Sequence, residues 1–326
     1  MRCEKHRKSP GFCTICLKRR QMDLPIVRKC RIILTCINRC DSSIGEESVS
    51  ETLEFVSIEA RKRGHCLGRF FRDIKKYRHY AVYAAKSELK SEVANSRLSC
   101  LWWVLEPICF MLVYTFMVQI VFRSSEPYMP VFVFVGLTLW NFFNKSILQS
   151  VKLVSSNRSI VSKVYLPKFI LVLVKMGVLA FKMGISILLT FALMAIYQVP
   201  VTWNILYLLP ILLILFLVTF GMATIIMHFG VFVEDLSNVC NIVLRLVFYL
   251  SGVFYSLSTR LPKEYSKIVL RANPIAFLID QCRQVMIFES HPSFLYLGAW
   301  LLIGIILSFI GVRTVYKYEN SYVKVM

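Results

Sequence analysis

Three observations predict an all-α polytopic membrane protein. Of 326 residues, 56% are hydrophobic and the mean hydropathy is +0.59, more apolar than a soluble domain of this size. The apolar residues fall into separate runs, each near the roughly 20 residues that a helix needs to cross a bilayer. The cations are unevenly placed: 22 of the 39 Lys and Arg precede Leu98, and most others sit between apolar runs. This fits a positive-inside bias and attraction to an anionic leaflet. A nucleic-acid partner is therefore not expected, despite the net charge of +20.

Residues 1–69 show no sustained period. They are basic and Cys-rich at first, then acidic and Ser-rich, the composition of a weakly ordered cytoplasmic tail. Cys13 and Cys16, with Cys3 and His6, approach a zinc ligand set. The second pair, Cys36 and Cys40, is spaced one residue too widely, and no metal is expected.

Residues 70–97 form an amphipathic interface helix. Phe70, Ile74, Tyr77, Ala81 and Ala84 recur at helical spacing, with Arg72, Lys75, Lys76, Arg78, Lys86 and Lys90 mostly elsewhere. The remainder, 98–326, reads as six spans. The first covers Leu98 to Phe122, 25 residues with one charge, Glu106. The second runs from Tyr128 to about Asn144. Lys145 to Lys168 is a cationic connection without one acid, so it is placed in the cytoplasm. The third span covers Phe169 to Tyr197 and the fourth Ile205 to His228, divided by a break around Pro200. The fifth covers about Val239 to Leu257. Ser258 to Pro292 breaks at Pro262 and at Asn273-Pro274 into two amphipathic pieces too short to span, the signature of re-entrant helices. The sixth is Phe294 to Val312, and both termini fall in the cytoplasm.

Four stretches resemble one known family. They are the KSELKS…NSRLSCLWWVLEP run, the SSNRSIVSKVYLPKFILVL connection, VFVEDLSNVC through NPIAFLIDQCRQ, and the ending KYENSYVKVM. Together they are similar to ABC-2 type permeases, in the branch that exports capsule, O-antigen and teichoic acid. The likeness covers about residues 72–326. It implies a bacterial cytoplasmic-membrane exporter for a lipid-linked polymer, built from two copies of this chain and two ATPase subunits. ATP and Mg would sit on those partners, since this chain has no GxxxxGK[ST] loop and no cofactor of its own. It implies a coupling contact at Asn157, Arg158, Ser159, Val164 and Tyr165, and aromatics along the glycan path. A permease for a drug or a simple lipid shares this topology. An embedded lipid-sugar transferase needs an acid/base or metal constellation, which the residues do not offer.

Candidate path residues are Trp102, Glu106, Lys182, Tyr249 and Tyr255. Sugar rings stack on aromatic faces, and the pool near span ends includes Trp103, Tyr114, Trp140, Phe142, Phe143 and Phe254. Lys175 and Lys182 lie two turns apart on one face of the third span. A lysine at the depth of Lys182 costs about 2.5–3.5 kcal/mol on insertion scales. It therefore faces a polar path, where it would attract the pyrophosphate of the lipid-linked glycan that the resemblance implies, or pairs with Glu106 or another polar group. Arg245, inside the fifth span, is expected at a helix interface or the inner headgroups.

Overall fold

The computed structural model describes residues 66–94, 101–121, 127–161, 166–257, 262–319, 321 and 322. The zinc residues considered above, with Val164 and Tyr165, lie outside them. The described residues form helices and turns, with no strand among them. The helices are α1 (Cys66–Ala94), α2 (Trp102–Phe116), α3 (Met129–Val151), α4 (Lys168–Ile196), α5 (Leu208–Phe232), α6 (Leu236–Leu250), α7 (Lys263–Ala272), α8 (Pro274–Met286) and α9 (Phe294–Lys317). A π turn, Met117–Val121, extends α2, and a tight turn, Trp203–Tyr207, leads into α5.

Five of these helices, counting the two extensions, are long and apolar enough to cross a membrane. The expected fifth span is shorter: α6 has 15 residues, about 22 Å of rise. Its end is set by Gly252, at φ 62°, and by Arg283, whose guanidinium takes the Gly252 and Val253 carbonyls at 2.8 and 2.6 Å. Those carbonyls point at Arg283 and α6 stops at Leu250.

The hub is α3. It buries 78% of its span window, against 17% for α2. From Met129 to Trp140 it is apolar all round, with Thr138 bonded back to the Phe134 carbonyl, which suits a segment enclosed by other helices. α4 and α5 pack on it, and α9 packs on α5 through small residues. A Cβ on Gly221 would lie 2.6 Å from the Ser308 backbone nitrogen, and one on Gly311 would run into Thr224 Oγ1. Glycine is what lets these backbones meet, and Ser308 Oγ donates across the seam to the Leu217 carbonyl at 2.9 Å. Within a bilayer such close packing supplies what water exclusion cannot.

The bundle has two distinguishable ends. At the hairpin end, Asn273 caps α8 by accepting from the Ile275 and Ala276 amides, and its own amide donates to Ser251 Oγ at 2.9 Å. Nearby, Asn204 donates to the Glu289 carbonyl at 2.8 Å. At the loop end, two single-turn helices, Leu153–Ser156 and Arg158–Val161, connect α3 to α4. Gly230 of α5 lies against the Val151 carbonyl there. Glu319 pairs with Arg69 at 3.1 Å and faces Lys168 at 3.8 Å, and Tyr316 donates to Asp73 at 2.7 Å. Tyr322 shares a 2.8 Å hydrogen bond with His228, and burial, then Glu319 and Tyr318, push its hydroxyl pKa above the ordinary range.

These contacts place α1. Its expected apolar face, from Phe70 through Ala84, is half-buried against the bundle, with the Phe70 ring tilted against Phe169 at 5.2 Å. The face that the sequence assigns to lipid meets protein instead. Phe71, Val82 and Tyr83 stay exposed among the cations.

Candidate translocation cleft

Two connected clefts run along the flank where α2 lies against α3, α4 and α6. The larger, of about 350 Å³, is lined by α2, α3 and α6; the smaller, of about 80 Å³, by α2, α3 and α4. They meet at Phe110, Leu137 and Asn141.

The wall of the larger cleft follows from helical spacing. On α6, Asn241, Arg245 and Tyr249 recur every four residues and so share a face. Opposite them α3 presents Asn141 and Asn144. The rest is aromatic and leucine. Trp140 packs on Phe248 at 5.2 Å, Phe248 on Phe254 at 5.1 Å, and Phe254 on Tyr114 at 4.4 Å. Amides and a guanidinium beside ring faces can hydrogen-bond hydroxyls and stack on sugar rings. Tyr249 sits on the rim, while Tyr255 donates its hydroxyl to the Tyr249 carbonyl at 2.9 Å and closes the end of α6.

The smaller cleft gathers charge. Lys145 pairs with Glu106 at 3.0 Å, and Lys182 with Glu92 at 2.6 Å. Lys182 therefore finds a carboxylate, but one on α1 and not Glu106. The reason is the path of α1 along α4. Glu88 and Glu92, one turn apart, meet Lys175 and Lys182, two turns apart, and Lys175 is bonded to Glu88. Glu106 is left to reach α3. Trp103 lies on the cleft wall with its ring 5.9 Å from Lys182 Nζ, whereas Trp102 is exposed and lines neither cleft.

Arg245 is exposed on the larger cleft, where the sequence had suggested a helix interface or headgroups. Sequence reasoning also passed over Asn141, Asn144, Asn241 and Glu92. The signal was present as four-residue spacing, Asn141 to Lys145 and Asn241 to Arg245, but only the fold shows that the two faces meet. At the loop end, Asn157 donates to the Leu153 carbonyl at 2.8 Å, and Arg158 and Ser159 are exposed. Buried Leu153, Val154 and Val161 hold this connection to the bundle.

Span-length apolar helices with a polar and charged row on one open flank define a multi-pass helical membrane protein with a hydrophilic lateral cleft. The chain belongs to the ABC-2 type transporter family, whose model matches residues 82–287. Its relatives include the O-antigen export system permease protein RfbA of Myxococcus xanthus, 28% identical over 241 residues, with 73% of this chain and 92% of the relative covered. A protein of the same name from Klebsiella pneumoniae is 26% identical over 248 residues, covering 75% of this chain and 94% of the relative.

Proposed function

We propose that this chain is the membrane permease of an ABC exporter that moves a lipid-linked cell-surface polysaccharide, of the O-antigen or teichoic-acid type, out of the cytoplasm. The observation that carries this reading is the larger cleft, lined by three asparagines, Arg245 and stacked aromatics in a chain of the ABC-2 family. A drug or simple-lipid cargo has less use for so many amide groups. The names of the relatives point to the same class of cargo.

The open flank is where a second copy of the chain would stand, so that two clefts enclose one path. A separate ATPase subunit would supply the energy, with ATP and Mg bound there. The connection at the loop end suits its contact. It is short, exposed at Arg158 and Ser159, and anchored by buried Leu153 and Val154, so a push on it reaches α3 and α4. Asn157, Val164 and Tyr165 belong to the same contact. The sequence from Lys152 to Lys168 carries four cations and no acid, which supports a cytoplasmic position for this connection and for both termini.

The test is ATPase activity in nanodiscs of the chain co-expressed with its ATPase subunit, with and without Arg158→Glu. A stable complex is expected, with stimulation by lipid-linked glycan that the substitution abolishes. Failure of any ATPase subunit to associate with the unaltered chain would overturn the reading.

A further inference from the structure

Lys145 and Lys182 stand on neighbouring helices, α3 and α4, and line the same small cleft. Each is neutralised by a carboxylate brought from elsewhere, Glu106 for Lys145 and Glu92 for Lys182. The two sides of these pairs are built differently. The lysines belong to two helices packed directly on one another. Both carboxylates come from outside those two helices, near the end of α1 and the start of α2: Glu92 is two residues before the last residue of α1, and Glu106 is four residues after the first of α2. Loss of both pairings would leave two ammonium groups on one wall.

The four side chains are 27–49% exposed on the open flank, within reach of a ligand. Lys182 lies inside the third span and Lys145 near the end of the second, and lysines at membrane depth are costly and mark ion or substrate pathways. A ligand with two negative charges would replace two carboxylates without changing the charge of the wall. A diphosphate offers those charges and enough acceptor oxygens for two ammonium groups. Asn141 at the junction of the clefts and Trp103 beside Lys182 would then meet whatever follows the diphosphate.

We propose that Lys145 and Lys182 form an exchange site for the diphosphate of a lipid headgroup, with Glu106 and Glu92 holding the lysines when the headgroup is absent. This rests on the reading of the chain as a permease for a lipid-linked polymer. It adds the two lysines by which that substrate is first held and the pair of carboxylates that it displaces.

The experiment uses the full-length chain in phosphatidylcholine nanodiscs, titrated with radiolabelled farnesyl diphosphate, with inorganic pyrophosphate, farnesol and phosphatidylglycerol as competitors. Lys145→Gln and Lys182→Gln are each expected to weaken binding about tenfold, the loss of one charge-assisted contact. Glu92→Gln with Glu106→Gln is expected to tighten it several-fold, because the internal competitors are gone. The opposite signs keep the test decisive even if a lysine variant fails to fold. Unchanged affinity in a folded Lys145→Gln, Lys182→Gln double variant, or weaker binding in the glutamate variant, overturns the site. Competition by pyrophosphate as strong as by farnesyl diphosphate assigns the site to a free anion, and equal competition by phosphatidylglycerol assigns it to bilayer lipid; either overturns the proposal. Binding that fails while the ATPase subunit still couples refutes this site alone. Binding that persists without any ATPase partner refutes the permease reading alone.

Discussion

Arg283 shows how one residue can set the length of a helix thirty residues away. It is 4% exposed, its three nitrogens donate to Phe132, Gly252 and Val253 carbonyls, and its guanidinium lies 3.5 Å over the Phe132 ring. The planar fork reaches three diverging acceptors at once, which a single ammonium cannot do. Arg283→Met is expected to leave up to three buried carbonyls without their donor, at about 1–3 kcal/mol each. Arg283→Lys should recover only part of this loss. A melting curve in detergent checks both, and a Met variant as stable as the parent would remove the role given to this residue. In the sequence, Arg283 was one of several cations in an amphipathic stretch. Its acceptors are 151 and about 30 residues away, and backbone carbonyls carry no mark of the side chain that takes them. Lys182 was legible for a different reason. An ammonium in the middle of an apolar run needs a partner whatever the fold, so a polar contact followed from composition alone. Which carboxylate supplied it depended on the course of α1.

At the scale of elements, two packing devices separate what periodicity can show from what it cannot. The apolar face of α1 was readable because Phe70, Ile74, Tyr77, Ala81 and Ala84 repeat at 3.6 residues. Periodicity shows that a face is apolar, not whether lipid or protein covers it, and here the answer is α4 and the loop end. The α5–α9 seam was not readable, since Gly221, Ser308 and Gly311 sit in runs where every residue is uncharged. Gly221→Leu is expected to force those helices apart or strain their backbones, costing about 1–3 kcal/mol. Gly298→Leu, with nothing within 4 Å of its Cβ position, should cost little. Equal melting temperatures for the two variants would mean that the seam tolerates bulk. The base of α1 depends on charge instead. Glu319 serves both Arg69 and Lys168, and Lys168 is 3% exposed. Glu319→Gln removes the carboxylate facing a buried cation, a change that costs about 3–5 kcal/mol in other buried pairs. Because α1 is held there, limited proteolysis should cut the α1 segment sooner in the variant, and an unchanged cleavage rate would show that the apolar face alone retains it.

The whole molecule is organised by an asymmetry of burial. α3 is enclosed, α4, α5 and α8 pack on it, and α2 and α6 leave broad faces bare, with Val113 and Leu246 each about 60% exposed. A flank that joins bare apolar helices to a polar cleft is suited neither to lipid alone nor to water alone, which favours a second copy over open bilayer. The order and spacing of the spans were legible because apolar runs and Pro-marked breaks are local. The cleft was less so, because it depends on which faces of three distant helices converge. Orientation depends on charge and can be tested directly. The stretch from Lys145, in the last turns of α3, to Lys168, at the start of α4, has five cations and no acid, whereas the residues at the hairpin end include Glu264, Asp280 and Glu289 among the cations. Placing the loop end inside therefore predicts opposite labelling at Ser159 and Ser290, both exposed. In a chain whose native cysteines are replaced, Ser290→Cys should react with a membrane-impermeant maleimide on intact cells. Ser159→Cys should react only after the membrane is opened. Labelling of both residues from the same side would break the odd number of crossings between them and would require α6 and the α7–α8 pair to be placed differently in the bilayer. Labelling of Ser159→Cys alone on intact cells would invert the molecule and remove the connection as a site for a cytoplasmic ATPase.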